Sequence, residues 1–315
     1  MGQKIQKVML EKFAYYCLVY PLSLLPLRVL YLMTDLFFLL LITVFPYRKK
    51  VIDKNLKLSF PELSDHVRKK IKRKFYRHFT DILAEGIKNL SFSKKQYSRR
   101  VTVKNNSLME RLYSEGRNVL LVSGHYNNWE WIITAQDMIF RHKAFGIGKQ
   151  MTSKFWDQKV NQRRNRFGMT VIHRLNQEQV LEDYTEKPHA VLLLSDQSPT
   201  DPLKCYWTQF LNQETAVIFG AELLANQKDY AVVFFATKKV KRGHYELELE
   251  LITENANDTK WGEITEAHTK LLEKVIRKSP EYWLWSHKRW KRVIPDNFEE
   301  LKSKQEKRFN EKFNK

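Results

Sequence analysis

The chain has 315 residues, of which 43% are apolar and 13% aromatic, and its formal net charge is +20. This length and apolar content suffice for a sizeable core and exclude a disordered chain, while the negative mean hydropathy of −0.52 excludes a polytopic membrane protein. Two cysteines, Cys17 and Cys205, are too few for a disulfide scaffold or a cysteine-built zinc site. The charge indicates a polyanionic partner, for which nucleic acid and an anionic lipid surface are the two candidates.

The N-terminal segment, residues 1–47, is the first predicted element and is expected to anchor the chain in a membrane. Residues 13–27 carry no charge, and residues 29–47 carry only Asp35. A helix needs about 20 mostly apolar residues to cross a bilayer, and two prolines interrupt the first stretch. One spanning helix and a helical hairpin within one leaflet both fit this pattern, and a buried core hairpin is the alternative without a membrane.

A strongly basic region follows directly behind the apolar segment. Residues 48–78 contain 12 Lys and Arg against three Asp and Glu, a net charge of +9. The positive-inside rule assigns this flank, and the chain after it, to the cytoplasmic side, and such a flank also binds anionic headgroups. Apolar residues recur every four positions over residues 63–87, which predicts an amphipathic helix capped by Ser64 and Asp65.

Strands and helices alternate in the rest of the chain. This alternation predicts one α/β catalytic domain over residues 48–300, with a central, largely parallel or mixed sheet flanked by helices, and a polar tail over residues 301–315 that forms a frayed helix. Helices are expected at 128–140, 153–166, 176–186, 214–227 and 261–278. Strands are expected at 118–123, 170–173, 190–195, 230–237 and 244–252.

The most informative motif follows the predicted strand 118–123. Ligands of α/β proteins bind at the carboxyl ends of the strands, and His125 stands at that position. Asn127 or Asn128 can cap the next helix, whose first turn contains Glu130. A carboxylate beside a histidine fixes the imidazole tautomer and stabilises the imidazolium. This pair therefore predicts a general base that deprotonates a hydroxyl attacking an acyl carbonyl, and a structural histidine is the alternative.

These residues resemble the lipid A biosynthesis acyltransferases, the late acyltransferases of Gram-negative inner membranes, which are related to the lysophospholipid acyltransferases. The strand, the histidine, four residues and Glu130, with Asn-Trp before the Glu, carry the resemblance. Ordered matches elsewhere in the chain extend it from about residue 20 to residue 295. These matches are Tyr47-Arg48, Asn55-Leu56, Phe60-Pro61-Glu62, Glu85, Arg164-Asn165-Arg166-Phe167-Gly168, Asp196-Gln197 and the run from Pro280 to Lys291.

The resemblance implies a glycerolipid-acyltransferase-like fold and an O-acyltransferase of the bacterial inner membrane with its catalytic domain facing the cytoplasm. The family moves a fatty acyl chain from acyl carrier protein, or sometimes coenzyme A, onto a hydroxyl of a lipid A precursor. His125 would be the base and Glu130 its orienting partner. No G-x-S-x-G elbow or suitable cysteine is present, so direct transfer without an acyl-enzyme is expected. We expect no metal ion, no cofactor beside the thioester co-substrate, and no nucleic acid partner.

Four further residues are expected to contact the substrates: Arg164, Asp196, Asn128 and Arg166. The planar guanidinium of Arg164 suits a phosphate or the developing oxyanion. Asp196 follows the predicted strand 190–195, and two roles stay open for it, pairing with Arg164 or holding the acceptor. A structural ion pair is the alternative for these two residues.

Two departures from the family pattern concern the turn after the histidine and the substrate groove. Asn127 replaces a glycine, and asparagine tolerates the positive φ that such a turn needs. Phe210-Leu211-Asn212 replaces Phe-Phe-Gly and is expected to border the acyl-chain or acceptor groove. A lysophospholipid or an amino-acid-containing lipid therefore stays open as the acceptor. The hypothesis of another class is a membrane-tethered nucleic-acid-binding protein.

Tryptophans alternate with basic residues near the C-terminus, at Trp283, Trp285 and Trp290. Stacking on bases, an interfacial position in the bilayer, and packing against the sheet are the three interpretations, of which we favour a mixture of the last two. His287 in the same run has no predicted carboxylate partner, so it ranks below His125 as a catalytic histidine.

Overall fold

The computed structural model describes residues 2–315, with side chains described from residue 6 onward. The helices are α1 Gly2–Phe13, continued by a π-helical stretch Ala14–Val19, α2 Tyr20–Leu24, α3 Leu27–Thr43, α4 Lys49–Ser59, α5 Asp65–Lys88, α6 Lys94–Ser98, α7 Ser107–Ser114, α8 Trp129–Ile139, α9 Lys154–Arg164, α10 Gln177–Asp183, α11 Gly220–Lys228, α12 Glu263–Lys278 and α13 Phe298–Phe313. The strands are β1 Val101–Val103, β2 Val119–Ser123, β3 Lys143–Gly148, β4 Thr170–His173, β5 His189–Leu194, β6 Cys205–Phe210, β7 Gln213–Ile218, β8 Ala231–Lys241 and β9 His244–Thr253.

Seven strands form one mixed sheet in the order β1-β9-β8-β2-β5-β3-β4. All neighbouring strands in it are parallel except β8 and β9, which form an antiparallel hairpin. The predicted α/β fold with a largely parallel or mixed sheet flanked by helices is therefore confirmed. Strand β2 lies between β8 and β5, and all five of its residues are buried, as expected for an apolar run covered by helices on both faces.

The predicted helix 214–227 is wrong over its first part. Residues Gln213–Ile218 form strand β7, antiparallel to β6, and helix α11 begins only at Gly220. Leu211 and Asn212, between these strands, have φ values of +52° and +61°, which is the geometry of a tight hairpin turn. β-Branched residues in β7 favour a strand after that turn, and the hairpin therefore overrides the helical spacing of the apolar residues.

Most other predicted elements match the structure closely. Strands β1, β3 and β6 were not predicted. β1 has only three residues and β3 contains two glycines, while β6 pairs with β7 in a separate hairpin outside the main sheet. The predicted amphipathic helix corresponds to α5, and Ser64 caps it by accepting a hydrogen bond from the backbone N–H of Val67. The tail forms helix α13, whose Phe309 is buried against Phe219.

The apolar N-terminal segment folds into two arms that meet at a sharp bend. Residues 6–24 form the first arm, α3 forms the second, and their axes differ by 117°. No single described helix has the length and apolar composition of a membrane span, although the two arms together meet that test. Tyr15 of the first arm packs against Phe155 and Trp156 of α9, and the second arm packs along α5.

Asp35, the acidic residue within the apolar segment, joins an ion-pair cluster. Its carboxylate lies 2.9 Å from Arg77 of α5 and also accepts from Arg242, between β8 and β9. Asp81 of α5 lies 2.6 Å from Arg242 and 2.9 Å from Lys239. The cluster therefore connects α3, α5 and the β8–β9 hairpin through opposite charges.

Candidate active site

The parallel pairing of β2 with β5 brings two of the predicted site residues together. Ser123 lies opposite Leu194 in the register of this pair. His125 and Asp196, each two residues beyond its strand, therefore meet at one edge of the sheet. This edge carries the carboxyl ends of the parallel strands, where α/β proteins bind their ligands.

His125 makes two hydrogen bonds to Asp196. Its Nδ1 lies 2.6 Å from Oδ1, and its backbone N–H donates to Oδ2 at 2.8 Å. An ionised carboxylate can only accept, so Nδ1 carries the imidazole proton and Nε2 is an acceptor. The side-chain amide of Gln197 donates to Nε2 at 3.2 Å. The ring also packs edge-to-face against Trp129, with 5.0 Å between ring centroids. These contacts fix both the tautomer and the orientation of the imidazole.

Asp196 is buried, and its hydrogen-bond donors keep it ionised. Besides the two bonds from His125, the indole N–H of Trp283 donates to Oδ2 at 2.8 Å. Burial alone would raise the pKa of Asp196, but the His125 charge and these hydrogen bonds outweigh it and lower the pKa to about 2. The carboxylate is therefore ionised at neutral pH and can stabilise an imidazolium.

Glu130, expected to orient His125, forms no hydrogen bond with the imidazole. It lies in the first turn of α8, and its carboxylate accepts from Arg163 and from Arg164, whose Nε lies 3.2 Å away. Burial would raise the pKa of Glu130, but the two arginines, with a smaller contribution from His125, lower it to about 2. The side chain is directed towards α9, so the expected pairing is corrected. In this geometry Asp196, and not Glu130, fixes the tautomer of His125.

Arg164 therefore pairs with Glu130, and the alternative in which it pairs with Asp196 is not realised. Arg163 shares the same carboxylate, with a side chain only 12% exposed against 23% for Arg164. The Nε of Arg163 is buried and has no hydrogen-bond partner within the described residues. Two guanidinium groups on one carboxylate leave an excess positive charge near His125.

Asn128, predicted to bind substrate, forms hydrogen bonds within the protein through both the oxygen and the nitrogen of its side-chain amide. Its Oδ1 accepts from the backbone N–H of Trp131 at 3.0 Å and caps α8, while its Nδ2 donates to Glu85. The Glu85 carboxylate is fully buried and also accepts from the hydroxyls of Tyr31 and Tyr245. This network fixes the start of α8, on which Glu130 depends.

The turn between His125 and α8 has the shape that the sequence predicted. Asn127 adopts a φ of +54°, the left-handed conformation that asparagine tolerates better than most residues. Arg166, also predicted to bind substrate, donates instead to the backbone carbonyls of Asn89, Leu90 and Phe92. Its guanidinium thus holds the loop that follows α5.

Comparisons with known proteins agree with the resemblance of the motifs. A family model of the bacterial lipid A biosynthesis acyltransferases matches residues 3–292 of the chain. The chain belongs to this family. It is also similar to the lipid A biosynthesis lauroyltransferase of Escherichia coli (strain K12), with 23% identity over 246 residues, which cover 78% of this chain and 79% of that protein. The predicted enzyme class, an acyltransferase, is confirmed.

The C-terminal motif of the acyltransferase packs around the site. The carbonyl of Tyr282 accepts from the backbone N–H of Asn127 at 2.9 Å, and His287 Nε2 accepts from the backbone N–H of Ser198 at 3.1 Å. Trp283 and Trp285 are 2% and 0% exposed. Packing within the domain is therefore the correct interpretation for these two tryptophans.

The turn between β6 and β7, at Leu211 and Asn212, contacts the same motif. Phe210 packs against the rings of Trp283 and Trp290, and Leu211 is fully buried. Trp290 in turn donates its indole N–H to Thr215 Oγ1 of β7 at 2.8 Å. A role of this turn in the substrate groove stays a prediction.

Three side chains of the acyltransferase site received no role from the sequence: Gln197, Trp283 and Arg163. Gln197 and Trp283 stand in runs that match the family, so a signal was present. The sequence does not show the order of the strands in the sheet, and it does not show that the C-terminal motif packs against Asp196. Arg163 directly precedes Arg164, and no pattern in the sequence shows that both reach Glu130.

Proposed function

We propose that this acyltransferase moves a fatty acyl chain from an acyl carrier protein thioester, or a coenzyme A thioester, onto a hydroxyl of a lipid A precursor. The observation that carries the proposal is the hydrogen bond between His125 and Asp196, which leaves Nε2 as the acceptor at the carboxyl ends of β2 and β5. Membership of the family and the similarity to a lipid A lauroyltransferase support a lipid acceptor and an acyl donor in general terms.

In the proposed reaction, the acceptor hydroxyl takes the place of the Gln197 amide beside Nε2. His125 removes the hydroxyl proton while the oxygen attacks the thioester carbonyl carbon. The tetrahedral intermediate then expels the thiolate, which takes the proton from the imidazolium. A C–O bond thus replaces the C–S bond without an acyl-enzyme, and Asp196 stabilises the imidazolium between the two steps.

Arg163 and Arg164 are the groups that we propose for binding a substrate phosphate or the developing oxyanion. Both side chains are partly accessible and are held in place by Glu130. A guanidinium fork donates to two oxygens at once, which suits either anion. In this proposal Glu130 positions the guanidinium groups of Arg163 and Arg164, while Asp196 orients His125 and stabilises its imidazolium.

The proposed membrane contact rests on the apolar surface of the N-terminal arms. Among residues 6–315, whose side chains the structure describes, 27 large hydrophobic side chains are exposed, and 18 of them lie within residues 8–47. Soluble surfaces rarely concentrate apolar side chains in this way, whereas lipid-binding surfaces do. On α3 the exposed apolar residues are Val29, Leu32, Met33, Leu36, Phe37, Leu39 and Leu40.

We favour the helical hairpin within one leaflet over a single spanning helix. The first arm contacts α9 through Tyr15, and the second contacts α5 through Asp35, so both arms lie against the same domain. A single span through α3 would separate α1 from that domain and break the Tyr15 contacts. The exposed cations Arg48, Lys49 and Lys50 follow α3 directly, where they suit anionic headgroups on the cytoplasmic side of the inner membrane.

Mass spectrometry of total lipids, with and without the gene, tests the acceptor. Loss of one acyl chain from lipid A is the expected result. An unchanged lipid A together with a changed phospholipid or amino-acid-containing lipid would instead identify the changed lipid class as the acceptor.

Transfer by the purified protein from acyl carrier protein and coenzyme A donors tests the mechanism. His125→Ala is expected to lower the rate by at least about 100-fold, since general-base catalysis contributes roughly 10²–10⁴-fold. His66→Ala, an exposed histidine on α5, is the control and keeps activity. Full activity in His125→Ala would overturn the mechanism.

A further inference from the structure

The indole of Trp283 completes the set of donors around Asp196. Its N–H and the backbone N–H of His125 both donate to Oδ2, each at 2.8 Å. The other oxygen, Oδ1, faces the imidazole Nδ1 at 2.6 Å. Two donors on one oxygen fix the rotation of the carboxylate plane, so that its second oxygen points at the histidine.

Trp283 is also attached to the loop that carries His125. An isolated antiparallel bridge joins its backbone to Tyr126, and the preceding carbonyl, of Tyr282, accepts from Asn127. The residue therefore contacts the His125 loop through its backbone and Asp196 through its side chain. With 2% of its surface exposed, it has little freedom to move between these contacts.

We infer that Trp283 is a positioning residue for the acyl transfer, whose indole N–H holds Asp196 in the orientation that fixes the tautomer of His125. This inference rests on the proposed function, because it gives Trp283 a role in transfer through His125. A donor to a buried ionised group contributes more than one to a neutral group, so its loss is expected to be measurable in catalysis.

Trp285 provides a matched control for this inference. It is fully buried in the same motif, and its indole N–H donates to the carbonyl of Pro280 at 2.6 Å, away from Asp196. Trp283→Phe and Trp285→Phe therefore remove the same group and the same volume. Only the first removes a donor from the catalytic carboxylate.

Steady-state kinetics of the two variants separate positioning from packing. Trp283→Phe is expected to lower kcat by about tenfold or more, the effect of one lost hydrogen bond to a charged group, with little change in KM. Trp285→Phe is expected to keep kcat once it is folded. Equal kcat in the two variants would overturn the inference.

A double-mutant cycle with Asp196→Asn gives a second test. If the indole acts only through the carboxylate, the loss in the double variant is close to that of Asp196→Asn alone. Additive losses from Trp283→Phe and Asp196→Asn would instead show that Trp283 acts independently of Asp196, which contradicts the inference.

A spectroscopic readout keeps the inference testable without turnover. In ¹⁵N NMR of histidine-labelled protein, wild-type His125 is expected to carry its proton on Nδ1, and Trp283→Phe is expected to increase the Nε2-protonated population. If the Phe variant does not fold, benzothienylalanine at position 283 replaces the indole N–H by sulfur and keeps the ring shape. An unchanged His125 tautomer in either variant overturns the positioning role of Trp283. If the tautomer shift is present but the wild-type protein is inactive towards every acyl donor, only the proposed function is overturned.

Discussion

Gly124 leaves the space into which the Asp196 carboxyl group fits. A Cβ atom at Gly124 would lie 2.9 Å from the Asp196 Cγ and 2.7 Å from Leu272 Cδ2. Gly124→Ala is therefore expected to push the carboxylate away from His125 and to lower kcat by about 100-fold, the effect of a misplacement of roughly 1 Å. Steady-state kinetics check this prediction. Gly86→Ala, whose Cβ would meet nothing within 4 Å, is the control, and an unchanged kcat in Gly124→Ala would contradict the geometry.

Asp196→Asn is expected to keep the fold and lose most of the activity. An asparagine oxygen can still accept from Nδ1, but without a charge it cannot stabilise the imidazolium. The kcat is therefore expected to fall by roughly 100-fold or more. Asp183→Asn, at an exposed site, is the control, and circular dichroism checks the fold. A wild-type kcat in Asp196→Asn would assign the base function elsewhere.

Glu130→Gln is expected to change substrate binding more than the chemical step. The Glu130 carboxylate accepts hydrogen bonds from Arg163 and Arg164 and none from the imidazole. Loss of its charge therefore removes the ion pairs that hold the two guanidinium groups in position. We expect a higher KM for the phosphate-bearing substrate, and a free energy of unfolding lower by roughly 1–3 kcal/mol. Glu110→Gln, a partly exposed carboxylate on α7, is the control. A loss confined to kcat would favour Glu130 as the partner of His125 after all.

Two buried histidines are expected to make stability depend on pH in the acid range. His142 and His189 lie at the amino ends of β3 and β5, and burial lowers the pKa of each to about 4. In the unfolded chain the pKa is about 6.5, so the unfolded state binds more protons below that pH. The stability present above pH 6.5 is lost as the pH falls towards 4, by up to about 1.4 kcal/mol per pH unit for each histidine.

Denaturant unfolding at pH 7, 5.5 and 4.5 measures this loss. His142→Gln and His189→Gln, combined, are expected to flatten the dependence of the free energy of unfolding on pH, whatever their effect at pH 7. The exposed His66→Gln is the control and is expected to leave the slope unchanged. An equal slope in all three proteins would assign the acid sensitivity to other groups.

The exposed face of α3 is expected to control binding to lipid vesicles. Leu36→Glu and Leu40→Glu, combined, place two charges on that face and are expected to weaken binding by at least about tenfold, since burying one leucine is worth roughly 1.5–3 kcal/mol. Flotation with vesicles that contain anionic phospholipid measures the effect. Leu58→Glu, an exposed leucine on α4, is the control, and unchanged flotation of the double variant would place the lipid contact elsewhere.

A cysteine at the bend between the arms distinguishes a hairpin in one leaflet from a spanning arrangement. Leu24 directly precedes the bend and is 60% exposed, so a cysteine at this position is accessible to a thiol reagent. The native Cys17 in the first arm is also exposed and is replaced by serine so that it does not react. In Leu24→Cys with Cys17→Ser, an impermeant maleimide added outside intact spheroplasts is expected not to react. Labelling from outside would contradict the one-leaflet arrangement.

The sequence was sufficient to predict the position of His125, because an apolar strand followed by a histidine has a defined place in an α/β sheet. It also predicted that Asp196 follows a strand. It could not predict that these two strands are neighbours, since sheet order depends on long-range pairing. The direction of Glu130 was missed for a related reason, because its cations come from α9, 33 and 34 residues further along the chain.

The contact between Trp283 and Asp196 shows the same limit at a longer distance. The two residues are 87 positions apart, and neither composition nor periodicity connects them. The hairpin of β6 and β7 was missed because Leu211 adopts a positive φ, which an apolar residue rarely does. Local sequence patterns therefore predicted most helices and strands. The hydrogen-bond partners within the site depend on contacts between segments that are distant in the sequence, which these patterns do not contain.

Asp35 and Arg242 are 207 residues apart in the chain, and this separation orders events during synthesis. The ribosome releases the apolar arms first, and Arg77 follows soon afterwards, but Arg242 emerges only with the turn between β8 and β9. In the proposed membrane-bound form, the arms would therefore contact the lipid surface early, while the ion pairs that join α3 to the β8–β9 hairpin would form last. A nascent chain that stalls before that turn would leave the partly exposed Asp35 carboxylate paired with Arg77 alone.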